Sequence, residues 1–177
     1  MATLRAYGIE APLPNGFEGR IFVRPTIGAE VTYPVAHFST FALPAEVGDF
    51  GGGAVNLMGS TDIFATLFEY GPESLGQPLF ARQGMPRSLD PGDFRPYVLR
   101  RGIGGQSGTQ WFFTEAGRPF TLYIVLGSHS QRGTLVPRVN GLIGSLAVNP
   151  TAQPSSFVTV PPEPTTMTVS GAGARWN

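Results

Sequence analysis

Cysteine is absent from this 177-residue sequence, which excludes a disulfide framework and any thiolate metal site. Lysine is absent as well. All twelve basic residues are arginine, and they balance twelve Asp and Glu to a net charge of zero. The only two histidines, His37 and His129, are not spaced to share a zinc ion. No run approaches the roughly 20 apolar residues of a membrane-spanning helix, so no membrane span is expected. MATLRAYGIE has no apolar run after Arg5, which reads against a secretory signal. A cytoplasmic product, or one built into an assembled particle, is the expectation.

What is present suits one domain with an appendage. An apolar fraction of 41% supports a core, while 24 glycines and 17 prolines predict many turns and few long helices. The clearest stretch runs from Gly108 to Val148. Trp111 to Thr114 and Phe120 to Leu126 are aromatic or β-branched segments that fit a pleated surface. They are joined at Glu115-Ala116-Gly117-Arg118, where Gly117 supplies a positive φ. The second strand is almost continuously apolar, as a strand covered on both faces would be. Leu135, Val136, Val139, Leu142, Ile143 and Leu146 then form one stripe at helical period, predicting a helix over 131–147. Pro137 is expected in its first turn, and Ser130 as its N-cap.

Earlier in the chain, Thr3–Ile9 reads as a first strand and PLPNG (12–16) as a turn. Arg20–Arg24 is a second strand, Val35–Leu43 a third and Thr61–Tyr70 a fourth, for which a helix is the competing reading. A short helical turn is expected at 54–58. Residues 71–95 form a long Gly- and Pro-rich excursion, of the kind that is functional or disordered more often than not. Another strand is expected at Tyr97–Arg101. The reading is therefore α+β: an antiparallel sheet of about six strands with the C-terminal amphipathic helix on one face, in a domain spanning 1–148. Residues 149–177, rich in Pro, Thr, Ser and Gly, form an extended arm. Its alternating pieces at Phe157–Val160 and Met167–Val169 suit addition to an open sheet edge, in the same molecule or a neighbour.

No catalytic pattern in the sequence is complete. His37 and Ser39 share a strand face, which invites a nucleophile–base pairing, but a partly buried strand histidine is the simpler account. Gly105-Gln106-Ser107-Gly108-Thr109 lacks the second glycine of a nucleophile elbow and precedes a strand where a helix is required. The glycines from Gly102 to Gly108 fail as a dinucleotide fingerprint because no helix follows. Gly51-Gly52-Gly53 reads as a hinge. Asp62 and Glu69 lie at opposite ends of one strand, and Asp90 and Asp93 suit the first turn of a helix. No catalytic residue, metal ligand or cofactor is assigned.

Charge is unevenly spread. Residues 1–80 carry three Arg against eight acids, and residues 81–147 eight Arg against three acids. A GC-rich genome explains arginine in place of lysine. Opposite-signed surfaces would also let copies dock head to tail. With no lysine and no strong net charge, counterion release on nucleic acid would be small, so nucleic acid is not an expected partner.

Leu13-Pro14-Asn15-Gly16-Phe17 entering a strand, a Pro-rich approach to an alternating strand, and a final hairpin closed by an amphipathic helix resemble small PsbP-like α+β domains over roughly residues 10–147. The whole chain also resembles small actinobacterial cytosolic proteins. The first resemblance implies an antiparallel sheet flanked by helices and a non-enzymatic accessory role in a larger complex. Phe17 stands where that family usually has Trp.

These readings combine into a structural or adaptor subunit that touches other proteins, as a homo-oligomer or in a larger complex such as a phage-tail-like machine. The expected docking residues are Arg82, Arg87, Arg95, Arg100 and Arg101, with Phe157, Val158 and Val160 of the arm. The alternative is a module binding a small ligand or peptide between the sheet and the 71–105 excursion, in a pocket lined by Phe80, Phe94, Tyr97 and Trp111.

Overall fold

A computed structural model describes residues 2–26, 28, 31–98 and 102–150. Among them the chain forms, in order, β1 (Thr3–Ala6), β2 (Ile9–Pro12), β3 (Glu18–Val23), β4 (Pro34–Ser39), β5 (Ile63–Glu69), β6 (Ser107–Glu115), β7 (Arg118–Leu126), α1 (Arg132–Ser145) and β8 (Ala147–Val148). The fold is α+β and every strand pairing is antiparallel. Where one sheet of about six strands was expected, eight strands form two sheets: β3-β4-β5-β7-β6 and the smaller β1-β2-β8.

The β6–β7 hairpin runs in register from Ser107↔Leu126 to Glu115↔Arg118. Its turn places Ala116 and Gly117 at φ 52° and 74°, the two positive values of a type I′ turn. All nine residues of β7 are buried, because layers cover both faces of the large sheet. On one face Phe38, Leu67, Leu122 and Ile124 meet Val139, Leu142 and Ile143 of α1 and Ile9 and Ala11 of β2. On the other, Phe64, Tyr123 and Val125 are covered by Ala54 and Val55, with Phe41, Leu43 and Phe50 packed around them. Within segment 61–70 the strand reading holds, as β5 (Ile63–Glu69), apolar on both faces for the same reason.

All six aliphatic residues of the helical stripe are buried. At roughly 1.5–3 kcal/mol each they contribute on the order of ten kcal/mol before conformational entropy is subtracted. Pro137 lies inside α1, past its first turn. The helix starts at Arg132 because the Gln131 carbonyl accepts from Thr134 and Leu135 at 2.9 and 3.0 Å. Pro137 is exposed, so the carbonyl one turn earlier, deprived of its N–H partner, faces water. Ser130 is not the cap: that position is Gln131, and the Ser130 hydroxyl meets Ser128 Oγ at 2.9 Å.

The expected first strand is instead a hairpin. Tyr7 and Gly8, at φ 51° and 74°, turn β1 into β2. The helix ends at Ser145, and Val148 then pairs with Ile9, so both ends of the described chain lie in one small sheet. Pro96–Val98 forms a 3-10 turn where a strand was expected; residues 99–101 lie outside the described residues.

Candidate docking surface

The excursion after β5 is anchored along β6. Thr114 N–H donates to the Arg82 carbonyl and Gly84 N–H to the Thr114 carbonyl, both at 2.8 Å. Farther along, Arg95 and Gly108 exchange main-chain bonds of 2.9 and 3.1 Å. Asn140 of α1 holds the middle by bonding both the N–H and the carbonyl of Leu89, at 2.9 and 3.0 Å. Met85, Leu89 and Phe94 drop from this segment into the core beside α1. Four 3-10 turns in the described chain begin with proline, at Pro72, Pro78, Pro91 and Pro96. Proline suits such a first position because it fixes φ and its N–H would go unused.

This anchoring sets three of the five expected docking arginines on one rim. Arg82 is exposed and its guanidinium lies 5.1 Å from the centre of the Trp111 ring, a cation–π contact. Arg87 donates to the Leu146 carbonyl and, at 3.4 Å, to Glu115 Oε1. Glu115 in turn accepts the Met85 N–H at 2.6 Å. Arg95 is exposed at the other end of β6. Arg100, Arg101, Phe157, Val158 and Val160 lie outside the described residues.

The four residues expected to line one pocket are not brought together. Phe94 is 1% exposed in the core beneath α1. Phe80 is buried against Phe112 and Tyr70, at ring distances of 5.7 and 5.1 Å. Trp111 lies on the sheet face away from Phe80, opposing Leu122 and packing on the same α1 core as Phe94. Tyr97 is 77% exposed.

Two cavities lie at positions no sequence motif marked. A cavity of about 480 Å³ is lined by Tyr7, Gly8, Tyr33, Pro34, Glu69, Arg118 and Pro150. At its floor Arg118 donates to both Glu69 oxygens, at 2.9 and 2.5 Å, and to the Asn149 and Tyr7 carbonyls, each at 3.0 Å. Both side chains are under a tenth exposed, and every nitrogen of the guanidinium is engaged. Gly8 is required here, since a Cβ on it would stand 2.8 Å from Arg118 Nη1. The Tyr-Gly pair within an alternating run was the one signal available for this corner. A second, more open cavity of about 700 Å³ is lined by Arg20, Phe22, Val47 and neighbouring loop residues.

His37 and Ser39 do not form a pair. Ser39 Oγ donates to the Phe41 carbonyl at 2.6 Å, and His37 Nε2 meets the Asp49 carbonyl at 3.2 Å. Burial pushes the His37 pKa down to about 4, against the raising effect of the Asp49 carbonyl and with a smaller lowering from Arg20. Among the described residues no three His, Asp or Glu side chains gather where they could share a metal ion, and no helix is long and apolar enough to cross a membrane. No family model, curated protein or solved structure matches the chain.

Proposed function

We propose that the chain is a non-catalytic structural or adaptor subunit of a larger protein assembly, built first as a homo-oligomer. It docks through the arginine rim along β6 and through its C-terminal arm, in the cytoplasm or within an assembled particle such as a phage-tail-like machine. The observation that carries this reading is the exposed Arg82 with its guanidinium 5.1 Å from the centre of the Trp111 ring, on an excursion that also exposes Arg95 and Tyr97. Arg, Trp and Tyr are the residues that dominate binding energy at protein interfaces. The resemblance to PsbP-like accessory domains points the same way, as does the acidic balance of residues 1–80, which offers the rim a complementary surface on another copy. The arm's alternating pieces, Phe157–Val160 foremost, are its means of adding a strand to a sheet edge.

Light scattering on the full chain tests the proposal. The expected mass is a multiple of 18.9 kDa, lowered by the double substitution Arg82→Glu and Arg95→Glu and by removal of residues 151–177. A single-copy mass at every concentration would sink it.

A further inference from the structure

The two edges of the large sheet are treated differently. At β6 the excursion bridges both ends, at Gly108 and Thr114. Along the outer side of β3, no described segment pairs. Sheet edges are commonly guarded by proline or by projecting charges. β3 has no proline, and both of its charged side chains turn back onto their own molecule. Glu18 Oε1 accepts the Leu43 N–H at 2.7 Å. Arg20 Nη1 donates to the Pro44 and Ala45 carbonyls at 3.2 and 3.1 Å. What remains is the outward-facing main-chain groups of alternate residues along this six-residue strand, beside half-buried Ile21, Phe22 and Val23.

We propose that a second copy of this chain pairs antiparallel with β3 about a two-fold axis at Ile21, joining the two large sheets into one. The inference rests on the assembly reading and adds a further contact between copies to those of the rim and the arm. Opposed residues in an antiparallel pair share a sheet face, so a two-fold-related pair must match even positions with even and odd with odd. Centring the axis on Arg20 would oppose Arg20 to itself. Centring it on Phe22 would oppose Arg20 to Arg24. Like charges directly opposed are destabilising. Centring it on Ile21 opposes Glu18 to Arg24, Arg20 to Phe22, Gly19 to Val23 and Ile21 to itself. On the His37 face this register places an ion pair and a cation–aromatic pair, each occurring twice by symmetry. On the α1 face it places an apolar stripe.

The described geometry accommodates these partners. Arg20 already lies 5.6 Å from the centre of its own Phe22 ring. Arg24 holds Asp49 at 3.0 Å with its side chain still 42% exposed, leaving room for a second carboxylate. The cavity of about 700 Å³ beside Arg20, Phe22 and Val47 borders this edge and seats Phe22 of the second copy. The arginine rim, on the opposite edge of the sheet, is left to join such pairs to one another.

The absence of cysteine makes Ile21→Cys a clean probe. Directly opposed residues of an antiparallel pair have Cα atoms about 4.5 or 5.5 Å apart, within disulfide range. Mild oxidation of the full-length Ile21→Cys chain is expected to give mostly a disulfide-linked dimer on a denaturing gel, with only background from Thr3→Cys. Hydrogen exchange on the unsubstituted chain provides the second measurement. Alternate amides from Gly19 to Val23 are expected to gain about tenfold or more protection as concentration rises through dimerisation. A multimer lacking both the crosslink and this protection overturns the β3 contact and leaves the assembly reading standing. Single-copy mass overturns both. Protection of β3 that persists at every dilution without a crosslink shows the edge covered within one chain, and overturns the contact as well.

Discussion

The imidazole of His37 sits between the rings of Phe22 and Phe64, at centroid distances of 5.1 and 5.4 Å, with 0% of the residue exposed. Its pKa of about 4 compares with 6.5 for an exposed imidazole. Between these values the unfolded chain binds a proton that the folded chain refuses. The stability that His37 contributes is therefore full above about pH 6.5, falls as pH drops towards 4, and is gone below. At 1.36 kcal/mol per pKa unit the gap is worth about 3 kcal/mol. Urea unfolding at pH 7 and pH 4.5 is expected to show a loss of about 2 kcal/mol in the parent protein, and a clearly smaller loss in His37→Phe. Equal losses in both would place the titration elsewhere. The shared face of His37 and Ser39 was legible from the period of the strand. The turn of Ser39 towards Phe41 was not, because it depends on how the chain leaves β4.

At the scale of elements, legibility followed local signal strength. β5, β6, β7 and α1 are long enough for their periods to show, and the Ala116–Gly117 turn carries its own chemistry. β1 and β2 have four residues each, too few for alternation to separate a hairpin from one strand, and Tyr7 is an unusual first residue for a type I′ turn. β8 has two residues and exists only because Ile9 is there to pair with it. The docking rim was legible as residue types alone. That Arg82 meets Trp111 while Phe94 turns inward depends on main-chain bonds to β6 that no local pattern announces. Helix α1 also carries a removable weakness. Gly141 is exposed, and a Cβ added there meets nothing within 4 Å. Gly141→Ala is expected to raise unfolding stability by about 0.5–1 kcal/mol, since glycine in a helix interior costs that much. A flat or lower stability in urea titration would mean that α1 is strained at that turn.

For the molecule as a whole, Arg118 fastens what the sequence holds farthest apart. Its guanidinium ties the β1–β2 turn through Tyr7, the end of β5 through Glu69 and the chain after β8 through Asn149. The two sheets are joined at this corner as well as through the α1 core, so its loss should weaken the whole cooperative unit. Arg118→Met leaves the Glu69 carboxylate buried without its cation, and breaking such a pair from one side costs about 3–5 kcal/mol. Adding Glu69→Leu removes the stranded charge, and replacing both ions by apolar groups is often close to neutral. The two carbonyls that Arg118 served stay unmet, at about 1–3 kcal/mol each where burial keeps water away. The double variant is therefore expected to recover part of the single variant's loss and to stop short of the parent. Urea unfolding midpoints at constant slope would show this ordering. If Arg118→Met alone matched the parent, the ion pair would be an ornament of the corner, and the hydrophobic contacts of α1 would hold the two sheets together unaided.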